Sequence, residues 1–200
     1  MKRGKIIVLS GPSGVGKGTV LREVMRNRSD LQFSVSATTR PIRPNEVNGE
    51  NYWFMDKAQF EQLISDDALL EYVTYADNYY GTPIKPVEEA MDNGIHVVLE
   101  IEVQGAMKLF ERRDDVISIF IAPPSFEELK RRLLGRGDTA QQIAEKRLRI
   151  ARWECEAAKK YKYVVVNDDV QRAASEIDAI LTAESCRSEY YEMILPEEEM

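Results

Sequence analysis

Four stretches of the chain are predominantly apolar and rich in β-branched side chains: KIIVLS (5–10), IHVVLEI (95–101), VISIFIA (116–122) and YVVVN (163–167). Runs without a polar alternation predict strands covered on both faces, and the segments between or after them carry apolar residues at helical spacing. The combination predicts an α/β protein with a parallel sheet between two layers of helix. Ser125 and Glu128 form a capping-box pattern ahead of LKRRLL (129–134), which starts one helix. A second long helix is expected from about Thr139 to Lys160, after the GRGD break, and a last one from about Val170 to Cys186. The tail LPEEEM (195–200) reads as a frayed acidic end.

The stretch from about Phe33 to Asn93 has a different texture. Short strand candidates, QFSVSATTR (32–40), NYWFM (51–55) and LLEYVTY (69–75), alternate with turn residues and with one helical pattern from Asp56 to Ser65. This reads as an insertion between the first and second core strands. Its polar and aromatic interior points to a binding site rather than a strut.

Length and composition narrow the class. A chain of 200 residues with 44% hydrophobic and 30% charged content describes one soluble globular unit with small insertions. The net charge of −7 argues against a broad nucleic-acid-binding face, so positive charge that serves an anionic ligand has to be concentrated at a few arginines and lysines. Cys155 and Cys186 form no C-x-x-C pair and fit inert thiols in a reduced compartment, with a disulfide left open. No apolar run approaches the about 18 residues of a membrane span, and MKRGKIIVLS runs straight into a strand; the cytoplasm is the expected location. His96, the single histidine, lies in a strand pattern and is expected to be structural.

The chemistry begins at VLSGPSGVGKGTVLREVM (8–25). Gly11, Gly14 and Gly16 let the backbone turn back on itself and aim successive N–H groups inward at an anion. Lys17 stands where the next helix starts, so its ammonium, the loop amides and the helix dipole converge on one polyphosphate. The pattern G-x-x-x-x-G-K, preceded by a strand and followed by a helix, predicts a nucleoside triphosphate site over Gly11, Pro12, Ser13, Gly14, Val15, Gly16, Lys17, Gly18 and Thr19. Gly18 stands where a Ser or Thr hydroxyl ordinarily ligates magnesium, and Thr19 follows one residue late. No direct protein ligand to the metal is therefore expected: Mg2+ arrives with the nucleoside triphosphate, held by its phosphate oxygens and water.

Further segments join this loop in a fixed order: SATTRPIRPNEVNGENYWF (36–54), DNYYGTP (77–83), LLGRG (133–137) and VVVNDD (164–169). Together they closely resemble the guanylate kinases, over about Lys5 to Ser185. The resemblance implies the P-loop nucleoside monophosphate kinase fold: a parallel core (about 1–32, 94–125 and 160–187), a GMP-binding insertion (about 33–93) and a mobile helical lid (about 126–159). It implies transfer of the γ-phosphoryl of ATP to GMP, and to dGMP, giving ADP and GDP in purine nucleotide metabolism.

Arg40 and Arg43 lie three apart in a proline-rimmed segment, which limits backbone freedom and suits bidentate pairing with the GMP phosphate. Tyr52 and Tyr80 match family positions whose hydroxyls reach the same phosphate. Guanine differs from adenine in offering an O6 acceptor beside N1–H and N2–H₂ donors. The resemblance assigns these to Glu71, Ser36 and Thr82, with Glu102 as a second carboxylate and Glu100 beside it. Glu100 and Glu102 replace the aspartates familiar in relatives, which keeps the charge and changes the reach. Arg132, Arg136 and Arg147 match the lid arginines, which with Lys17 and Arg40 make up the catalytic set. Asn167, with Arg136, matches the ATP side; Arg131 reads as solvated surface charge.

Two rival readings stay in view. One is a guanylate-kinase-like scaffolding domain that binds phosphopeptides without catalysis, and the intact Lys17 loop argues against it. The other is a phosphotransferase with a different acceptor, against which Glu71, Ser36 and Thr82 argue.

Overall fold

The computed structural model describes residues 3–26, 28–134 and 141–188; at 134 and 141–146 it describes the backbone alone. Strand β1 (Ile6–Ser10) is buried along its whole length and is the middle of a five-stranded sheet. Its neighbours are β7 (His96–Glu100) and β8 (Ile117–Ala122), both parallel to it. Beyond them lie β2 (Leu31–Phe33), parallel to β7, and β9 (Tyr163–Val166), parallel to β8.

The two-residue period of a strand sorts β1 between two cores. Ile7 and Leu9 face one cluster, shared with α1 (Lys17–Arg26), α5 (Phe126–Leu134), α6 (Gln141–Glu156) and α7 (Val170–Ser185) through Val20, Leu21, Leu129, Ala151 and Ile177. Ile6 and Val8 face the other, shared with α3 (Ile84–Asp92) and α4 (Val103–Arg112) through Val87, Met91, Val103 and Leu109. Tyr161 closes that second cluster, edge-on to Phe110 and Phe120 at 5.1 and 5.2 Å. The four apolar runs thus form the four longest core strands. Helices cover both faces of β1, β7 and β8, whereas β9, at the sheet edge, leaves Val164 51% exposed and does not meet the expectation of two covered faces.

A second sheet stands beside the first. It contains β3 (Ala37–Thr38), β4 (Trp53–Phe54), β5 (Leu69–Tyr75) and β6 (Asn78–Pro83), in the order β4-β3-β6-β5. Phe60 from α2 (Lys57–Ser65) fills its small core and stacks on Tyr79 at 5.1 Å. Asp56 caps α2 in a reciprocal capping box with Gln59. At α5 the Ser125 hydroxyl accepts from the Glu128 amide at 3.1 Å, while the Glu128 carboxylate binds Arg131 and Arg132.

Three features depart from the sequence expectation. The insertion does not follow the first core strand directly, because β2 intervenes. This strand is three residues long at the sheet edge, with Gln32 and Phe33 exposed, so it never presents an apolar run. Within 33–93, α3 packs on the core sheet, in a cluster that also takes in Leu70 of β5. The third is β6, a strand with no turn signal before it, because its hairpin turn uses Ala76 and Asp77 at φ 46° and 62°. Asn-Gly or Asp-Gly is the usual signal for such a turn, and alanine hides it. The start of the second long helix and the tail at 195–200 lie outside the described residues.

Candidate active site

The glycine-rich loop joins β1 to α1 at the carboxyl end of the sheet, where such folds leave a crevice between strands that diverge. Gly14 and Gly16 have φ 83° and 95°, and a Cβ on Gly16 would lie 2.6 Å from the Asn167 side-chain nitrogen. Glycine is therefore required at 16 by both conformation and space. Fully buried Val15 anchors the loop from below, and the Asn167 amide donates to the Val15 carbonyl at 2.7 Å. Lys17 opens α1 and donates through Nζ to the Gly11 carbonyl at 2.7 Å, which closes the loop on itself. Burial pushes the Lys17 ammonium down in pKa, while Glu100, Glu154 and Glu102 pull it back up. The hollow over the loop, about 300 Å³, is lined by Ser13, Gly16, Lys17, Gly18, Thr19, Arg22 and those same three carboxylates.

A second cleft of about 330 Å³ lies between the small sheet and the carboxyl end of β7. At its floor Glu71 on β5 is 4% exposed, and the Thr82 hydroxyl on β6 donates to its Oε1 at 2.7 Å. Desolvation pushes the Glu71 carboxyl up, and the bond from Thr82 and the charge of Lys108 oppose this. At the other end Arg40 pairs with Glu46 through both guanidinium nitrogens, at 2.8 and 3.0 Å, and lies 5.5 Å from the ring centres of Tyr52 and Phe54. The Tyr52 and Tyr80 rings meet edge-on at 6.1 Å. Ser36, Arg43, Glu100 and Glu102 also line it. Since Glu100 and Glu102 line both hollows, the two form one continuous trough with an acidic ridge at its middle. The arrangement can hold a planar polar group at Glu71, an anion at the arginines and tyrosines, and a polyphosphate over the loop.

The residues expected from sequence fall into three groups. Ser36, Arg40, Arg43, Tyr52, Glu71, Tyr80, Glu100 and Glu102 line the cleft together. Thr82 stands behind Glu71, fully buried, with its hydroxyl spent on that carboxylate. Arg132 lies beside the phosphate loop: it donates to the carbonyls of Val15 and Asn167 at 3.2 to 3.3 Å and to Glu128 at 2.8 Å. Pro12 accepts from the Val15 amide and forms the turn of the loop. Arg147 is exposed on α6, and Arg136 lies outside the described residues. His96 is structural, as expected: its Nδ1 accepts from the Lys5 amide at 3.0 Å. Cys155 and Cys186 are free thiols.

Sequence reasoning missed Glu46, Glu154 and Gly105. Glu46 follows Asn45, whose φ of 71° turns the chain back so that the carboxylate reaches both Arg40 and the Arg43 amide. An Asn after a proline was the available signal. Gly105, on the first turn of α4, faces Glu71 so closely that a Cβ there would lie 2.7 Å from Oε2. Glu154 sits in a helix of mixed charge and carries no local signal at all.

Comparisons with known proteins agree with this geometry. The profile of the family described as Guanylate kinase matches residues 3–184. A guanylate kinase of Halalkalibacterium halodurans is 50% identical over 188 residues, covering 94% of this chain and 92% of the relative. One from Oceanobacillus iheyensis is 48% identical over 188 residues, covering 94% and 91%. The crystal structure of guanylate kinase from Anaplasma phagocytophilum superposes with a TM-score of 0.74 at 38% identity, over 94% of this chain and 89% of that one. With the family profile matching residues 3–184 and relatives of 48–50% identity matching along nearly the whole length, this chain belongs to the guanylate kinase family.

Proposed function

We propose that this chain transfers the γ-phosphoryl group of ATP to GMP within the single trough, with GMP in the Glu71 cleft and ATP on the Lys17 loop. The observation that carries this reading is the shared wall: Glu100 and Glu102 border both hollows, so an acceptor phosphate at Arg40 and a donor phosphate at Lys17 would be neighbours. Glu71 accepts from N1–H and N2–H₂ of guanine, with Thr82 holding its carboxylate in place and Ser36 facing O6. Arg40, Arg43, Tyr52 and Tyr80 take the GMP phosphate. Gly11 to Thr19 cradle the triphosphate, and Asn167 and Arg132 brace that loop from beside it. Arg136 and Arg147 are the arginines we assign to the lid side of the transferred group. The core, the insertion and the lid divide the chain functionally at about 33–93 and 126–159.

The acceptor is already an oxyanion, so the reaction needs no general base, in keeping with the structural role of the single histidine. Positioning and electrostatic stabilisation of the transferred group supply the rate. Among the described residues no cluster of three acidic, histidine or cysteine side chains could hold a metal ion. The donor set still fits a hydrated ion: Glu100 stands beside Gly18, whose Cβ position is 3.6 Å from both its oxygens. Glu100 would accept from waters of a Mg2+ brought by ATP, and that ion supplies neutralisation of phosphate charge.

A coupled assay that offers ATP with GMP, AMP, UMP or CMP tests the reading. GMP should be the efficient acceptor, and AMP should be poorer by as much as ~10⁴-fold, because its N1 lone pair would face the Glu71 carboxylate. Lys17→Met should abolish most turnover while circular dichroism stays unchanged. Near-equal use of AMP, or normal turnover in Lys17→Met, would contradict it.

A further inference from the structure

Among the residues around the phosphate loop, Glu154 has no part in the reading above, and its position is costly. It lies on α6, whose Ala151 and Cys155 pack into the core, so the helix holds the carboxylate in place. The side chain is 7% exposed, faces the hollow over the loop, and has one oxygen, Oε2, with no hydrogen-bond partner. A buried carboxylate is tolerated only when its surroundings offset the lost hydration. Among the described residues, the groups that face it are few. From α1 comes the Lys17 ammonium and from the loop the Ser13 amide, both of which favour its charged form. Glu102 at the start of α4 disfavours it, and Glu100 draws on the same Lys17 charge. Tyr161 and Cys155 complete the neighbourhood, and their own ionisation is pushed up in part by Glu154.

The balance holds only while the loop is empty. A polyphosphate entering the hollow takes over Lys17 and the loop amides, and it brings at least two negative charges beside the carboxylate. Both changes act in one direction. We propose that Glu154 is an occupancy sensor of the phosphate loop: with the loop empty it is the counter-charge of Lys17, and when a polyphosphate binds it takes up one proton and remains as a neutral hydrogen-bond donor. The proton comes from the buffer, the carboxylate becomes a carboxylic acid, and Oε2 gains a partner in a phosphate oxygen. The balance is already close to tipping, since burial pushes the Glu154 carboxyl up to about 7. The inference rests on the assignment of the loop to the donor nucleotide.

Calorimetric titration with ADP, without divalent cation, tests it at pH 8, where the phosphates of ADP are ionised. Running the titration in two buffers of different ionisation enthalpy gives the protons exchanged per ADP bound. The wild type should take up about half a proton or more. Glu154→Gln, which keeps the shape and cannot titrate, should bind ADP with an uptake near zero. Uptake at Lys17 would survive that substitution, so equal uptake in both proteins would overturn the proposal. So would ADP binding to the wild type without uptake, a result that needs no variant. If ADP failed to bind the wild type, the assignment of the loop would fall first and this inference with it.

Discussion

Arg40, which we assign to the acceptor phosphate, is held in place by its own neighbours. Its guanidinium is held by both oxygens of Glu46 and by the Pro41 carbonyl, and it lies against the rings of Tyr52 and Phe54. The Glu46 carboxylate is lowered in pKa chiefly by this pair, so it stays ionised through the neutral range. A long side chain fixed in this way loses little further freedom on meeting a phosphate. Glu46→Gln should therefore raise KM for GMP by about tenfold, leave KM for ATP unchanged and lower kcat little. Were Glu46 a competitor that GMP must displace, KM for GMP would fall instead. Steady-state kinetics with each substrate varied separately distinguish the two.

At the scale of elements, the acceptor cleft depends on how closely α4 approaches β5. Gly105 on the first turn of α4 faces the Glu71 carboxylate with no room for a Cβ, while Lys108 one turn later donates to the Tyr72 carbonyl at 2.8 Å and lies 4.9 Å from the Tyr72 ring. These contacts tie the small sheet to the core through one helix. Gly105→Ala places a methyl 2.7 Å from Glu71 Oε2, and Oε1 is held by Thr82, so the carboxylate has no easy retreat. The substitution should cost about 1–3 kcal/mol of stability by overpacking. It should also weaken GMP binding, with ADP affinity kept. Urea denaturation and separate titrations of the two nucleotides measure both; unchanged GMP affinity would show that Glu71 is not held by this contact.

For the whole molecule, charge distribution governs the approach of the parts. The chain carries a net charge of −7, and the arginines we assign to phosphate belong to two separate stretches, Arg40 and Arg43 in 33–93, Arg136 and Arg147 in 126–159. Like charges on the two stretches favour separation until a phosphate chain lies between them. Occupancy of both sites should then draw the insertion and the 126–159 stretch together. Solution scattering with a two-substrate analogue should show a smaller radius of gyration than the free protein, and ADP alone should produce less of the change. An unchanged radius with the analogue bound would sink this expectation.

Much of this was legible along the chain. The runs at β1, β7, β8 and β9 are short and rich in β-branched residues, which marks them as strands, while only the fold shows that β9 is an edge strand with Val164 exposed. The spacing from Gly11 to Lys17 sets a phosphate loop by local geometry alone. Cleft residues such as Glu71 and Arg40 were reached through their resemblance to a family, since nothing near Glu71 in the sequence marks it as buried. What tertiary structure alone decided lies between distant segments. Glu154 and Lys17 line one hollow, Thr82 binds Glu71 across a hairpin turned by Ala76 and Asp77, and Gly105 leaves room for that same carboxylate. Periodicity and turn chemistry act over a few residues and are written locally. The environment of a buried charge is the sum of groups that only folding brings together, and its protonation, partners and role follow from that sum.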